Sequence, residues 1–400
     1  MNQNIDYLPV PGLRLGTTCA GIRQADRRDL VVMELAEGTQ TAAVFTRNAF
    51  CAAPVTVARD HLAAGPPRYL LINTGYANAG TGEPGLEDAL TCCTALARLA
   101  GCATEQVLPF STGIIGEPLP VTAITRALPT AVEQLTDTGW EDAAWGIMTT
   151  DTVPKLVSRR SMLGGKEVTV TGMAKGAGMI RPDMATLLAF VATDAGLDEG
   201  ILQKILQASV NQSFNRITVD GDTSTNDACL LVATGASGVR VSAGSAEHEI
   251  LGRVVAEVCS ELAKGIVRDG EGATRLITIV VESGRSTAEC LDVAYTVAQS
   301  PLVKTAFFAG DPNWGRILAA VGRAGLEALD IGQVEIYLDE VCIVRKGARA
   351  PEYTEAQGQT VMARKEITVR IALGRGTAQA RIWTCDLSCD YVRINAEYRT

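Results

Sequence analysis

The sequence has little histidine: its 400 residues include only His61 and His248. His248 and Glu249 begin the pattern of a zinc-protease helix, but Gly252 stands where the second zinc ligand belongs. The chain also lacks a G-x-S-x-G elbow, an S-x-x-K motif and a Walker A loop, and GAGMIR has an arginine where the dinucleotide fingerprint needs its third glycine. These absences argue against zinc enzymes, the common serine hydrolases and enzymes that bind nucleotides.

Charge and hydrophobicity do not suggest a nucleic-acid or membrane partner. The net charge is −9 and no basic cluster offsets it, whereas proteins that bind nucleic acids present basic patches. The segment MNQNIDYLPVPGLRLG lacks the basic and apolar regions of a signal peptide, and no apolar run approaches the ~18 residues of a membrane span. We therefore expect a soluble protein that is not exported and that acts on small molecules or on other proteins.

Cysteine usage predicts the compartment. The eleven cysteines are an odd number, they are scattered from Cys19 to Cys389, and none forms a C-x-x-C pair. Disulfide-stabilised proteins have even, recurrently spaced sets, whereas reduced proteins use cysteine as a small core residue. We therefore expect free thiols and a cytoplasmic protein.

Short apolar runs alternate with helical patterns along the chain, which predicts an α/β or α+β fold. The chain is longer than the roughly 250 to 300 residues at which single cores stop growing, so two domains or lobes are expected. The predicted strands include DLVVMEL from Asp29, RYLLINT from Arg68, RLITIVVES from Arg275, QVEIYL from Gln333 and ITVRIALG from Ile367. SRRSML and KEVTV flank Gly164 and Gly165, a pair suited to a primed hairpin turn.

Apolar residues that recur three and four positions apart predict helices from Leu86 to Leu99, from Leu202 to Val210 and from Ile250 to Leu262. Ser300 followed by Pro301 supplies an N-cap and a first-turn proline for a further helix. The polar segment KGARAPEYTEAQGQ, from Lys346, is predicted to be a surface loop.

The stretch GMAKGAGMIRPDMATLLAFVATDAG, residues 172–196, passes abruptly from a glycine-rich loop into an apolar strand at Thr186. A threonine at a chain N-terminus can use its own α-amino group as a base, because that group titrates near pH ~8. Gly172, Gly176 and Gly178 permit a tight turn, and Ala185 offers an unhindered carbonyl for cleavage before Thr186. On these residues alone, an ordinary turn before a buried strand is the simpler interpretation.

The segment KGAGMIRPDMATLLAF closely resembles the cleavage motif of the ornithine acetyltransferase family, also called the bifunctional arginine biosynthesis proteins. Other segments resemble that family in the same order along the chain: AAVFTRNAFCAAPV, INTGYANAGTG, STGIIGEPLP, MTTDTVPK, DGDTSTND, VRDGEGATR, DPNWGRI and YVRINAEYRT. The resemblance therefore covers nearly the whole chain, and chance does not explain so many segments in one order.

The resemblance implies a self-cleaving protein with an N-terminal nucleophile. Cleavage between Ala185 and Thr186 would give an α chain, residues 1–185, and a β chain, residues 186–400, which stay associated as α2β2 in this family. The implied fold is a two-lobed α/β sandwich of the N-terminal-nucleophile type, completed by residues 186–282, with a smaller C-terminal α/β domain over residues 283–400. No metal or organic cofactor is implied.

The resemblance also implies the catalytic residues. Thr186 would be the nucleophile that accepts acetyl as an ester, and its freed amino group would be the general base. Thr112 and Gly113, in STGIIGEPLP, match the family's oxyanion hole, with the Thr112 hydroxyl and the Gly113 amide as donors. Without the family, a simple turn after Pro109 explains the same residues equally well.

The implied substrate-binding residues are Thr152, Lys175, Thr186, Glu271, Asn395 and Thr400. The charged ends of a desolvated amino acid need charged partners, so Lys175 would pair with a carboxylate and Glu271 with an ammonium. On its own, Glu271 would be interpreted as a surface acid, as most glutamates are. Asn395 and Thr400 would close over the site.

The implied reaction transfers acetyl from N2-acetyl-L-ornithine to L-glutamate, a glutamate N-acetyltransferase activity that recycles acetyl groups in arginine biosynthesis. Some family members also accept acetyl-CoA and are then amino-acid N-acetyltransferases as well. The residues of this sequence do not decide whether acetyl-CoA is a second donor here. Two alternatives also stay open. One is a self-cleaving aminopeptidase or amidase, in which water replaces glutamate, and the other is a non-catalytic amino-acid-binding protein.

Three acidic residues lie close together in DGDTSTND: Asp220, Asp222 and Asp227. They lack the spacing and the final glutamate of an EF-hand loop. A turn that leads into the strand ACLLVATG is therefore preferred to a metal site.

Three positions depart from the family pattern. Tyr76 stands in INTGYANAG where the family usually has asparagine, and Arg181 and Asp183 replace a histidine and an asparagine before MAT. Because these residues flank the matched chemistry without replacing it, they bear on substrate preference or cleavage rate and not on the reaction itself.

Overall fold

A computed structural model describes residues 7–181 and 187–398 of the chain. Its strands are β1 (Leu13–Thr18), β2 (Leu30–Leu35), β3 (Gln40–Phe45), β4 (Tyr69–Tyr76), β5 (Val107–Ile114), β6 (Lys155–Leu163), β7 (Lys166–Lys175), β8 (Leu188–Thr193), β9 (Gly196–Leu197), β10 (Ile217–Thr218), β11 (Ala228–Ala233), β12 (Arg240–Val241), β13 (Leu276–Gly284), β14 (Glu335–Leu338), β15 (Val341–Arg345), β16 (Ala348–Arg349), β17 (Glu366–Ala372) and β18 (Ala378–Cys385). Its helices are α1 (Ala53–Ala64), α2 (Gly82–Ala100), α3 (Val121–Glu133), α4 (Trp140–Gly146), α5 (Ile201–Gln212), α6 (Ala246–Arg268), α7 (Thr287–Ala298), α8 (Pro301–Ala309), α9 (Trp314–Gly322), α10 (Glu355–Met362) and α11 (Cys389–Ala396). Each helix of the described residues is too short or too polar to cross a membrane.

The described residues form two compact units. Residues 7–176, 181, 187–215 and 223–266 form the first, and residues 177–180, 216–222 and 267–398 form the second. The expected domain boundary at residue 283 lies inside β13, a strand of the second unit. The longest continuous segment of the second unit, residues 267–398, contains the whole of β13.

The first unit is built on two sheets that share a core. One sheet has the strand order β1-β2-β4-β5, and the other has the order β3-β11-β8-β7-β6. The common core includes Leu70 and Phe110 from the first sheet and Met173, Phe190 and Leu230 from the second. The rings of Phe110 and Phe190 meet edge to face across it, with their centroids 5.3 Å apart.

Helices cover the outer faces of both sheets. Leu96 of α2 and Leu128 of α3 pack in one cluster with Leu71 of β4. On the other sheet α6 lies so close that a Cβ at Gly172 would be 3.0 Å from Leu262. Because both faces are covered, a central strand such as β8 is buried at every position. The first unit is thus the α/β sandwich that the sequence predicted.

The second unit contains a mixed sheet with the strand order β10-β18-β13-β17-β14-β15-β16. Helices α7, α8 and α9 contribute Val293, Phe307 and Val321 to a core that also contains Ile279 and Val369 from the sheet. This unit is the smaller C-terminal α/β domain that the sequence predicted.

Most of the local sequence signals are confirmed. The five predicted strands form as β2, β4, β13, β14 and β17, and the predicted helices form as α2, α5, α6 and α8. Gly164 and Gly165 join β6 to β7 with φ angles of +55° and +81°, as a primed turn requires. The Ser300 side chain caps α8 by accepting the amide of Val303. All eleven cysteines are free thiols.

The predicted surface loop from Lys346 is wrong, because β16 and α10 form there. Thr354 and Gln357 make a capping box at the start of α10, and Val361 near its end is buried. The spacing of threonine and glutamine in TEAQ is the local signal that indicates this helix.

We expect Phe190→Ala to destabilise the first unit by about 3 to 5 kcal/mol, because it removes a ring from the core between the sheets and leaves a cavity. Phe190 is 1% exposed, whereas Phe50 is 54% exposed, so Phe50→Ala is the matched control. Urea unfolding followed by tryptophan fluorescence measures both variants. Equal shifts of the unfolding midpoint would contradict this account of the core.

Candidate active site

The Thr-Gly pair of STGIIGEPLP lies at the carboxyl end of β5, which runs parallel to β4. Gly113 has a φ of +137°, and a Cβ at this position would lie 2.2 Å from the carbonyl carbon of Gly75. Only glycine fits here, so the chain that follows Thr112 is held against β4. Pro109 pairs with Leu71 in the same two strands, so the alternative of a simple turn after Pro109 is wrong.

A buried asparagine fixes the backbone around this pair. Asn226, in DGDTSTND, donates its side-chain amide to the carbonyls of Ala77 at 2.6 Å and Ser111 at 2.9 Å. The Ser111 hydroxyl in turn donates to Asn73 Oδ1 at 2.5 Å. Because these groups are buried, leaving one of them unpaired would cost about 1 to 3 kcal/mol. Thr112 therefore sits on a backbone with little freedom to shift.

Lys175, the last residue of β7, contacts Thr112. Its ammonium nitrogen lies 2.9 Å from Thr112 Oγ1. An ammonium group can only donate, so the threonine oxygen accepts in this bond and the hydroxyl proton points elsewhere. Thr112 is buried and Lys175 is half-buried, which makes this hydrogen bond stronger than it would be in water.

Asp151 is a buried carboxylate with three donors around it. It accepts from Lys155 Nζ at 2.5 Å, from the Gly176 amide at 2.7 Å and from the Thr149 amide at 3.0 Å. Burial opposes its ionisation, but the charges of Lys155 and Lys175 outweigh burial and hold the pKa of Asp151 below its ordinary value. Asp151 is therefore an anion at neutral pH, and it binds the residue that follows Lys175.

The other predicted residues are placed as follows. Thr152 is exposed and follows Asp151 in the chain. Three more lie outside the described residues: Ala185, Thr186 and Thr400. Within the first unit, the structure therefore brings Lys175 into contact with Thr112, one residue of the predicted oxyanion pair.

In the second unit, Glu271 and Asn395 are hydrogen-bonded. Asn395, on α11, donates its side-chain amide to Glu271 Oε2 at 2.7 Å, although the two residues are 124 positions apart. Glu271 is 8% exposed, so its interpretation as a surface acid is wrong. A carboxylate has about four acceptor sites and Asn395 uses one of them, which leaves capacity for a cation. Two residues that the sequence assigned to one substrate are thus neighbours.

The backbone of KGAGMIR passes close to this carboxylate within the second unit. The Glu271 amide donates to the Ala177 carbonyl at 2.9 Å. A Cβ at Gly178 would lie 2.5 Å from the Glu271 carboxylate. Gly178 is therefore required for this close approach.

Asp220 holds the two residues that follow Gly178. Its carboxylate accepts the amides of Met179 at 2.6 Å and Ile180 at 2.9 Å, and Met179 has a φ of +55°, which is uncommon for a residue other than glycine. The Tyr391 hydroxyl also donates to Asp220, at 3.3 Å. Burial and the neighbouring negative charge of Asp220 raise the pKa of Tyr391, so its hydroxyl stays protonated and can donate.

The acidic residues of DGDTSTND do not form a metal site in the described part of the chain, where no three histidine, cysteine or acidic side chains cluster as ligands. Asp220 binds backbone amides instead. The segment leads into β11, in agreement with the predicted strand ACLLVATG.

Sequence reasoning missed four residues of these groups: Asp151, Lys155, Asp220 and Tyr391. All four lie in segments that resemble family motifs, namely MTTDTVPK, DGDTSTND and YVRINAEYRT, and that resemblance is the available signal. Nothing local indicates that the side chains point inward, because burial depends on the strands that pack around them.

Two of the departures from the family pattern lie in the described residues. Tyr76 ends β4 and packs, partly buried, against the core formed with α2 and α3. Arg181 is exposed, and its carbonyl accepts the Thr223 hydroxyl at 2.8 Å. Asp183 lies outside the described residues.

Known proteins resemble this chain along almost its whole length. A family model, described as the ArgJ family, matches residues 14–400. The arginine biosynthesis bifunctional protein ArgJ of Methylococcus capsulatus is 60% identical over 398 residues, which are 99% of this chain and 97% of that protein. The protein of the same name from Pseudomonas fluorescens is 56% identical over 98% of this chain and 97% of its own length.

A solved structure is also similar. It is that of the arginine biosynthesis bifunctional protein ArgJ from Bacillus halodurans, which is 37% identical, covers 52% of this chain and 97% of its own, and has a TM-score of 0.50. The family model spans the oxyanion pair, Lys175, Glu271 and Asn395. A match of this extent, with relatives that share more than half of their residues with it, shows that this chain belongs to the ArgJ family.

Proposed function

We propose that this chain transfers acetyl from N2-acetyl-L-ornithine to L-glutamate in arginine biosynthesis. The observation that carries the proposal is the ordered oxyanion pair. Thr112 accepts a hydrogen bond from Lys175, which leaves its proton for another acceptor, and it stands beside Gly113 at one strand end. Acyl transfer needs such donors, because its tetrahedral intermediates carry a negatively charged oxygen. Relatives named for arginine biosynthesis support the pathway.

Thr186 would be the nucleophile in both half-reactions. Its hydroxyl attacks the acetyl carbonyl of acetylornithine, its α-amino group takes the proton, and the amide C–N bond breaks as that proton passes to the leaving amine of ornithine. The amine of glutamate then attacks the acetyl ester, which forms N-acetylglutamate and returns a proton to Thr186. Thr112 and Gly113 would donate to the oxyanion in both steps.

This role requires cleavage between Ala185 and Thr186. The resemblance of KGAGMIRPDMATLLAF to the family's cleavage motif supports this cleavage. We propose that the α and β chains stay associated and assemble as α2β2.

In the substrate site, Glu271 would bind the ammonium of ornithine. Asn395 is hydrogen-bonded to Glu271 and would fix the orientation of its carboxylate. Lys175 would bind a substrate carboxylate in addition to its contact with Thr112, and Thr152 and Thr400 complete the proposed set.

Acetyl-CoA is a second proposed donor. The relatives are named bifunctional, which favours a second activity at the same site. Thr186 would take acetyl from the thioester in place of the amide, and glutamate would be the acceptor in both reactions.

The proposed compartment is the cytoplasm. All eleven cysteines are free thiols, including buried ones that serve as core residues. Such usage is typical of a reducing compartment.

Mature protein should contain two fragments of about 19.5 and 22.7 kDa, in proportion to 185 and 215 of the 400 residues of a 42.2 kDa chain. N-terminal sequencing of the larger fragment should read Thr-Leu-Leu-Ala-Phe. Thr186→Ala should leave one uncut chain, because it removes the nucleophile, whereas Thr186→Ser keeps a hydroxyl and should still be cut. Intact-mass measurement of the wild-type protein and of the two variants tests these outcomes. Active wild-type protein that is found only at full length would refute the mechanism.

Thr112→Val should lower kcat for acetyl transfer by about 100- to 1,000-fold, the usual cost of one lost oxyanion donor. Thr112→Ser keeps a hydroxyl and should lose less than about 10-fold. Initial rates per cleaved molecule measure both variants. Equal losses of kcat in the two variants would show that the Thr112 hydroxyl does not donate to the oxyanion.

Incubation with acetylornithine, with and without glutamate, separates the proposed reaction from its alternatives. We expect N-acetylglutamate when glutamate is present and little free acetate when it is absent. An amidase would release acetate at the same rate in both samples. A binding protein would stay uncut, release no product, and bind ornithine equally well after Thr186→Ala.

A further inference from the structure

The ion pair of Asp151 and Lys155 has no role in the function proposed so far. Its side chains are 0% and 3% exposed, respectively, and the two charged atoms lie 2.5 Å apart. Moving such charges out of water costs several kcal/mol per ion, so a buried pair is weak evidence of a contribution to stability. Another reason for its presence is therefore needed, and its contacts indicate one.

The contacts of Asp151 run toward the oxyanion pair. Asp151 Oδ1 accepts the amide of Gly176, which directly follows Lys175, at 2.7 Å. The ammonium of Lys175 contacts Thr112 Oγ1 at 2.9 Å. Asp151 therefore fixes the backbone from which Lys175 extends to Thr112.

The charge of Asp151 also helps to hold the Lys175 side chain in place. The carboxylate of Asp151 attracts the ammonium of Lys175 as well as that of Lys155, and both positive charges lower the pKa of Asp151. A lysine loses rotamer entropy when it is held in one conformation, and the attraction of a nearby buried carboxylate offsets part of this loss. The carboxylate thus favours one ordered position of the lysine.

Order at Lys175 determines what the Thr112 hydroxyl can do. Among the described residues, Thr112 Oγ1 has one hydrogen bond, and in it the oxygen accepts. A hydroxyl that accepts from a cation is polarised and becomes a better donor of its own proton. If Lys175 moved away, the hydroxyl could rotate and donate to another group instead of an oxyanion.

We propose that Asp151, held by Lys155, is a positioning residue for acetyl transfer. It fixes Lys175 on the Thr112 hydroxyl, so that the hydroxyl proton is left for the oxyanion. This role rests on the proposed function and deepens it, because it adds a buried ion pair to the group that prepares the oxyanion hole.

The test is a double-mutant cycle of Asp151→Asn and Thr112→Val, with kcat for acetyl transfer from acetylornithine measured per cleaved molecule. Asp151→Asn keeps the shape of the side chain and removes its charge. We expect it to lower kcat about 10-fold when Thr112 is intact, and less than about 2-fold in the Thr112→Val background, because its effect passes through that hydroxyl. Equal fold losses in the two backgrounds would overturn the proposal, since independent effects multiply.

Asp194→Asn is the matched control, at a residue that directly follows β8. Asp194 is also buried, and it accepts a backbone amide of β7, that of Thr169 at 2.8 Å. Thr169 lies six residues before Lys175, or about 20 Å along the strand. The control should therefore leave kcat within about 2-fold even if it lowers stability. A loss of kcat as large as that of Asp151→Asn would overturn the proposal.

Asp151→Glu is a second variant for the case in which Asp151→Asn gives no cleaved protein. It keeps the charge and moves the carboxylate by one methylene. The same double-mutant cycle applies, and we expect a smaller loss of kcat than with Asp151→Asn. If neither variant were cleaved while Asp194→Asn was, the proposal would be overturned, because Asp151 would be needed before the acetyl-transfer site exists. If the wild-type protein did not transfer acetyl, the proposed function would be refuted, and this role with it. If the wild-type protein were active but the effects of the two substitutions were independent, only the role of Asp151 would be refuted.

Discussion

The backbone contact between β4 and β5 at Gly75 and Gly113 is the constraint on which the proposed oxyanion pair, Thr112 and Gly113, depends. A Cβ at position 113 would lie 2.2 Å from a backbone carbon of Gly75, so the two strands can approach only if this residue is glycine. The approach sets the position of Thr112, and Asn226 ties the neighbouring carbonyls together. Lys175 then reaches Thr112 from the other sheet of the sandwich. A site for acyl transfer thus begins with a packing requirement of the backbone.

Carboxylates in both units bind the backbone of residues 176–180, shortly before the predicted cleavage site. Asp151 accepts the Gly176 amide in the first unit, and Asp220 accepts the amides of Met179 and Ile180 in the second. Each of these hydrogen bonds involves a charged acceptor, and such bonds are about twice as strong as neutral ones. The glycine-rich segment is therefore ordered by specific partners and is not a free loop, although its composition alone suggests flexibility.

Local features were predictable because short-range physics decides them. The primed turn at Gly164 and Gly165 follows from two positive φ angles, and the cap at Ser300 follows from one side-chain hydrogen bond. The same physics applies after Lys346, where the capping box of Thr354 starts a helix in a segment whose polar composition predicts a loop. The strand order was not predictable, because an apolar run such as β13 does not reveal which strands pair with it.

The sequence by itself predicted many of the strands, four of the helices, and the Thr-Gly and Lys-Gly motifs that resemble one family. Tertiary structure alone decided which of these residues meet. Lys175 contacts Thr112 across 63 positions and Asn395 contacts Glu271 across 124, and both contacts exist only because strands and helices from distant parts of the chain pack together. Asp151 and Lys155 show the same limit most clearly. Their spacing is visible in MTTDTVPK, but their burial depends on the fold around them. Burial strengthens the effect of the Asp151 charge on Lys175.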